Sequence, residues 1–435
     1  MILQKKQVFL PHTLFILNTM KKLAFLACLL PILWAACSST ATTRKESGEW
    51  AKVPEILKNI VPPTFPDSIY DVTAYGAKSD TSFDSRPAIL EAINQCNTNG
   101  GGTVLIPAGN YFSKGAILLK SNVNLHVADD ARLEFSTVAS DYLPMVLTKW
   151  EGTECFNYSP FIYAYQCTNV ALTGKGTIDG NGAVTFNGWH ALQGPALDRL
   201  RQMGIDSIPV YERVFGEGYY LRPCMIQFYG CKNVLVEDVQ IYDSPFWIIH
   251  PVFCDNVTVR NVYIDSNNYN NDGCDPESCS GVHIKNCRFD TGDDCISLKS
   301  GRDRDGRIAN KACEYVLIEN NEFADGHGGV ALGSEMSGGI RHVLAMNNRF
   351  SSPNLTYALR LKTNAKRGGM VEEIILADSV MDHVHGAAVH GTMLYEDGRN
   401  GEYLPVFRNI RIENITAHGG DYGIFLEAFD EVPIT

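Results

Sequence analysis

Three short segments of this chain gather polar groups that a folded scaffold does not itself need. They are Asn270-Asn271-Asp272-Gly273-Cys274-Asp275, Gly292-Asp293-Asp294-Cys295 and Gly326-His327-Gly328-Gly329. Taken singly, each has a structural explanation. Asn-Asp-Gly is a common turn, Asp-Asp is usually a solvated corner, and a histidine between glycines fits any loop. The second segment departs from that explanation, because Asp293-Asp294 runs directly into the apolar stretch Cys295-Ile296-Ser297-Leu298. Two like charges at the entry of a core strand repel, and each raises the proton affinity of the other. A fold tolerates this where one carboxyl has to remain protonated to act as an acid. The chemistry expected from such a set is proton transfer between carboxyl groups and a substrate.

A fourth segment bears on the charge of that substrate. Between Arg341 and Arg367 lie six basic residues and no Asp or Glu, in a chain whose formal net charge is -12. Within it, Arg360-Leu361-Lys362 in a strand would point Arg and Lys to one side, since side chains alternate. Paired cations beside a carboxylate cluster suggest recognition of an anionic group next to an acid/base centre. The competing explanation is a basic edge that discourages strand association. Nucleic acid is not expected as the main partner, because phosphate binding calls for a basic surface.

These segments need an element that brings distant residues together. Short β-branched runs recur: Val234-Leu-Val236, Val257-Thr-Val259, Val282-His-Ile284, Val316-Leu-Ile318, Ile374-Ile375-Leu376 and Ile410-Arg-Ile412. Their starts are 23, 25, 34, 58 and 36 residues apart, and the long gap has room for one more turn near His342-Val343-Leu344. Many are followed by Asn or Asp. Such a pattern predicts a parallel β-solenoid, in which each coil buries its apolar face on the next and turn asparagines form ladders. Asp272 and Asp293 are 21 residues apart, about one coil, so Asp272, Asp293, Asp294 and His327 are expected on one face. Ser85 to Cys96 predicts a capping helix, with Asp84-Ser85 at its start and Ile89, Ala92, Ile93 and Cys96 on one side. After the strand-like Gly423-Ile-Phe-Leu426 no polar cap follows, so the sequence reads as truncated there or covered in another way.

Residues 1–40 read as an export signal and not as part of the fold. Met20-Lys21-Lys22 precedes the apolar run Leu23 to Ala36, which is short for a membrane span. Met20 reads as the true start. Ala35-Ala36-Cys37 resembles a bacterial lipoprotein cleavage site, although Trp34 is bulky for that pattern, and a lipid-anchored Cys37 is the favoured expectation. Residues 41–66 read as a polar tether and 67–435 as the β-helix domain. Of the thirteen cysteines, five recur as Cys-x-x-Val, starting at Cys167, Cys231, Cys254, Cys279 and Cys313. None forms a Cys-x-x-Cys metal pair. A stack of small buried thiols at equivalent positions is preferred to disulfides, which export would permit.

With Arg360-Leu361-Lys362, the three polar segments resemble, in order and spacing, the four motifs of glycoside hydrolase family 28, the polygalacturonases and related pectinases. Val72 to Ala77, Gly101 to Val104 and Gly176 to Gly180 resemble that superfamily's entry coils. The resemblance runs from about Tyr70 to the end of the chain. It implies an all-β, right-handed parallel β-helix that hydrolyses α-1,4 galacturonosyl bonds with inversion. Asp293 would then protonate the leaving oxygen, Asp272 and Asp294 would activate water, and His327 would tune the acid. Arg360 and Lys362 would bind a galacturonate carboxylate, with Asn270 and Tyr395 as further substrate contacts. No metal or cofactor is implied. Asn271 stands where the family usually has Thr, a position read as shaping the turn. The two separated carboxyl functions agree with inverting hydrolysis in general.

Asp275-Pro276-Glu277-Ser278, Gly333 to Gly339 and Lys366 to Gly369 resemble the exo-acting bacterial branch. An insert from Thr185 to Tyr220 could wall off one end of a groove. The implied partner is galacturonan, the expected state a monomer, and the expected location periplasmic or outer-membrane-associated in a bacterium. The rivals are a rhamnogalacturonan or substituted-galacturonan hydrolase, a pectate lyase and a non-catalytic glycan-binding solenoid.

Overall fold

The computed structural model describes residues 53–58 and 60–435. The expectations for residues 1–40, Met20 and Cys37 among them, lie outside the described residues. From Ile69 onward the chain winds into a right-handed parallel β-helix. Two sheets of eleven strands run its whole length, one strand per coil, and every pairing within them is parallel. The six runs picked out by periodicity all lie in the first sheet, and His342-Val343-Leu344 falls in an additional strand, Ile340–Met346.

One column of inward side chains shows why these residues make this fold. Val104, Leu125, Leu172, Val236, Val259, Ile284, Ile318, Ala345 and Leu376 are paired in register through successive coils, and all are buried. No single coil could bury such a face, and stacking removes about 1.5–3 kcal/mol worth of exposed side chain at each large aliphatic position. In the second sheet, Phe289, Phe323 and Phe350 stack in turn at 5.6 and 4.6 Å. The expected asparagine ladder is present: Asn169 donates to Asn122, Asn233 to Asn169 and Asn256 to Asn233. All five Cys-x-x-Val cysteines are free and buried, which agrees with a thiol stack and not with disulfides.

The helix Arg86–Thr98 caps the first coil with Ala88, Ile89, Ala92, Ile93 and Cys96 buried. Its cap comes from Asp84, whose Oδ1 accepts from Arg86 N at 3.0 Å, while the Ser85 side chain makes no capping bond. Part of the stretch read as a tether packs on the β-helix. Val53–Lys58 is helical, and the Val61 carbonyl accepts from Asn256 Nδ2 at 2.9 Å.

The third sheet carries the site. It has a four-stranded piece ending in Ile249–Val252 and a five-stranded piece starting at Ile296–Leu298. The coil between them, Cys274-Asp275-Pro276-Glu277, contributes only isolated bridges to both neighbours. Pro276 lacks a donor and cannot complete a ladder there. The insert forms a helix, Gly194–Ile205, whose Ala196 and Leu200 pack with Trp150, Phe215 and Phe246 in a second apolar cluster.

Candidate active site

The polar segments occupy the turns that lead from the second sheet into the third. Asp272 follows Tyr263–Ser266, Asp293 and Asp294 follow Arg288–Thr291, and His327 follows Glu322–Asp325. Stacking of coils sets one turn over the next. Asp272, Asp293 and Asp294 each offer a carboxylate oxygen, and these oxygens lie within 4.8 Å of one another. Three like charges at that spacing need compensation. It comes from Lys362, 2.6 Å from Asp294 Oδ2, from Arg360, 3.3 Å from Asp294 Oδ1, and from Lys299, 3.5 Å from Asp272 Oδ2.

The three carboxyl groups differ in environment. Burial, and next the charge of Asp293, pushes Asp272 up to about 8 against the pull of Lys299. Burial also works against ionised Asp294, but Lys362, Arg360 and Lys299 outweigh it and hold that carboxyl well below the usual range. Asp293 is the most open, with 19% of its side chain exposed. Its Oδ1 meets His327 Nδ1 at 3.0 Å and accepts from Asp294 N at 2.9 Å. That contact raises the His327 imidazole against the effect of burial. At neutral pH the surroundings therefore favour a proton on Asp272 and ionised Asp294. The sequence led us to expect mutual repulsion between Asp293 and Asp294 to raise a carboxyl. Instead the raised group is Asp272, because the backbone turns the adjacent pair into different surroundings and gives Asp294 two cations.

Close approach of the coils depends on glycine. A Cβ on Gly328 would lie 2.8 Å from Asp294 Oδ1 and 3.3 Å from Arg360 Cβ. Gly326 has φ +149, and a Cβ there would lie 2.7 Å from the Asp293 carbonyl. Asn271 is buried and does shape the turn. It accepts from Ser266 Oγ at 2.5 Å and donates to the carbonyls of Ser244 and Phe246.

A cavity of about 240 Å³ opens onto this cluster. All eight residues singled out in the sequence are at the site. Asp272, Asp293, His327, Arg360, Lys362, Asn270 and Tyr395 line the cavity. Asp294 lies buried beneath. Arg222 Nη2 donates to Asn270 Oδ1 at 2.5 Å, and the Tyr395 ring lies 5.3 Å from Lys362 Nζ and 5.7 Å from the Arg360 guanidinium. Lys362 is buried against Asp294, so Arg360 is the more accessible of the two cations.

Sequence reasoning missed several lining residues. Lys299 sits between Asp272, Asp275 and Glu335 at 3.5–3.6 Å and 4.2 Å from the Trp247 ring centroid. Alternation with the inward Ile296 and Leu298 was a usable signal for it. Asp275 has no hydrogen-bond partner on either oxygen, and burial holds its carboxyl well above the ordinary range. Glu335 lies in the Gly333 to Gly339 stretch already singled out, whereas Glu151, Arg201 and Glu396 come from turns and from the insert, and no local pattern marks them.

Residues 215–420 match the model of the family described as glycosyl hydrolases family 28, and residues 69–127 match one described as rhamnogalacturonase A/epimerase, pectate lyase-like. A solved structure, that of a hyperthermoactive exopolygalacturonase from Thermotoga maritima, is 42% identical and superposes with a TM-score of 0.86 over 89% of both chains. The chain belongs to glycosyl hydrolase family 28. As a family 28 member it is a glycoside hydrolase. The exo-poly-alpha-D-galacturonosidase of Dickeya chrysanthemi is 28% identical over 390 residues, 80% of this chain and 62% of that protein. An endo-polygalacturonase of Pectobacterium carotovorum subsp. carotovorum is 26% identical over 357 residues, 78% of this chain and 79% of that one. Both kinds of cutting thus occur among its family 28 relatives.

Proposed function

We propose that this chain hydrolyses the α-1,4 galacturonosyl bonds of polygalacturonate from a chain end, with inversion. The observation that carries this reading is three carboxyl groups with oxygens within 4.8 Å of one another, set beside accessible Arg360 in a cavity that the insert helps to line. In the proposed reaction Asp293 gives its proton to the leaving oxygen. It is the most open of the three carboxyls and is backed by His327. Ionised Asp294 and Asp272 then draw a proton from water entering on the opposite face. The proton resting on Asp272 passes to Asp293 before each cycle. Arg360 pairs with a substrate carboxylate next to the bond that breaks.

Exo action is supported by the insert, whose helix contributes Arg201 to the cavity lining and could close one end of it. The cavity lining includes Trp247, Glu151 of the hairpin Val146–Asn157 and Arg201 of the insert helix. His190 of the insert stacks on Tyr269 at 4.3 Å, which fixes the insert over the Asn270 turn. Product sizing on polygalacturonate tests the reading. Mono- or digalacturonate from the first minutes is expected, whereas an early spread of long oligomers would refute chain-end cutting. An ultraviolet-absorbing unsaturated product would indicate a lyase instead.

We also propose export and lipid anchoring through Cys37, supported by the Leu23 to Ala36 apolar run and the Ala35-Ala36-Cys37 junction. Cys37→Ser should move the protein from the membrane fraction to the soluble one. An unchanged distribution would rule the anchor out. A monomer is proposed as the working state, and light scattering of the soluble form checks it.

A further inference from the structure

Every ring of the proposed substrate carries a carboxylate, so a cut between two rings places one anion on each side of the bond. Arg360 can meet one of them. The cations left in the cavity are Lys299, Lys362 and Arg201. Lys362 is buried on Asp294, and Lys299 is buried among three carboxylates. Arg201 differs from both. It lies on the insert helix, at the part of the cavity that the insert would close, with 28% of its side chain exposed. Its Nη2 is 2.9 Å from Glu151 Oε2 and 3.9 Å from Glu396 Oε1, while its Nε is buried with no acceptor.

We infer that Arg201 is the specificity-determining cation that receives the carboxylate of the terminal ring at the end of the cavity that the insert would close. The inference rests on the polygalacturonase reading above. The guanidinium fork has one edge anchored by Glu151, which fixes its direction, and an Nε that lacks an acceptor. A planar carboxylate matches such a fork. The distant Glu396 contact is easily given up, because Glu396 remains paired with Arg302 at 3.1 Å and Arg367 at 2.9 Å. The end of the cavity would otherwise present Glu151, Glu335 and Glu396 to an anion, which would repel it. On this account the insert does more than block the groove: it selects a uronate over a neutral sugar at the chain end.

A purely structural Arg201, tying helix to hairpin, predicts something different, and trimers of galacturonate separate the two. One trimer has all carboxylates free. The second is methyl-esterified only on the non-reducing terminal ring, and the third only on the reducing terminal ring. The wild type should disfavour the ester that enters the closed end by about 10–100-fold in kcat/KM, the range for losing one charge-assisted pair. Arg201→Gln should bring that ratio close to one and leave discrimination at the other ring as it was. Arg201→Lys, which keeps the charge, should retain an intermediate ratio. A Gln variant that slows all three trimers by one common factor would overturn the inference. If the Gln variant does not fold, the Lys variant decides. A rise in KM confined to trimers with a free carboxylate at the closed end supports the inference, and a uniform change overturns it. A wild type that cleaves none of the trimers removes the polygalacturonase reading itself, and this inference with it.

Discussion

At the scale of single residues, the division of labour among three carboxyls follows from what surrounds each one. Asp294 has two cations within 3.3 Å and stays ionised. Asp272 is buried, has only the longer Lys299 contact, and is pushed up to about 8. Asp293 meets the cavity and His327. Replacing Asp293 with Asn removes the proposed proton donor. We expect kcat to fall by about 10²–10⁴-fold, with oligogalacturonate binding still measurable by calorimetry. Retained turnover would move the acid role elsewhere. The pH profile follows from the same groups. The cluster keeps its proton while Asp272 is protonated and loses it as pH rises through about 8, so kcat/KM should fall on the alkaline side of that point. Lys299 pulls the Asp272 value down. Lys299→Met should therefore shift the alkaline limb to higher pH by about one unit. A Lys299 that only held the fold together would lower activity without moving the limb.

At the scale of elements, the site depends on how closely turns of successive coils stack. Gly328 faces Asp294 and Arg360 at distances no Cβ could share without displacing one of them. Asp294 is fixed by Lys362, so the turn carrying His327 would have to move outward. Gly328→Ala should cost about 10²-fold in kcat/KM, the scale of an ångström-sized misplacement. The thermal midpoint should change by only about 2–4 °C. A variant with full activity would show that the turn has slack that the close packing does not suggest. The scaffold itself was largely legible in the sequence. Val234-Leu-Val236 and its successors declare a repeat because each coil must supply the same inward column, and that demand recurs in every coil. The turn motifs were legible for another reason: Asp272, Asp293, Asp294 and His327 are residue types that a turn does not require. Glu151 and Arg201 were not legible, since one sits at a hairpin turn and the other on a helix of the insert, outside the repeat. They meet only when the hairpin and the helix close on one another.

At the scale of the whole molecule, the fold holds charges that a scaffold alone would avoid. Glu277 is buried between Lys149 at 2.9 Å and His250 at 3.0 Å, and Lys299 is buried among Asp272, Asp275 and Glu335. The adjacency of Asp293 and Asp294 suggested repulsion between neighbours, yet the protonated group is one coil away. Proton placement is set by burial and by the cations Lys299, Arg360 and Lys362 from other coils, and which carboxyl each cation meets is not visible in a local motif. The consequence for stability can be given a sign. A carboxyl whose folded value is raised is most stabilising to the fold when protonated at low pH. That contribution is lost as pH climbs from near 4 through about 8, the range set by the Asp272 shift. Near neutral pH, Asp272 thus works against folding. Asp272→Asn keeps the shape, removes the titration and leaves Lys299 with Asp275 and Glu335 as neighbours. The variant should be inactive on polygalacturonate and, at pH 7–8, more stable than the wild type by about 1–3 kcal/mol in denaturant unfolding. The gain should shrink toward pH 4, where the wild-type carboxyl is protonated in both folded and unfolded chains. A variant destabilised equally at all pH values would mean that Asp272 holds the fold together through packing or hydrogen bonds that do not depend on its ionisation, and the trade between activity and stability placed at this residue would be wrong.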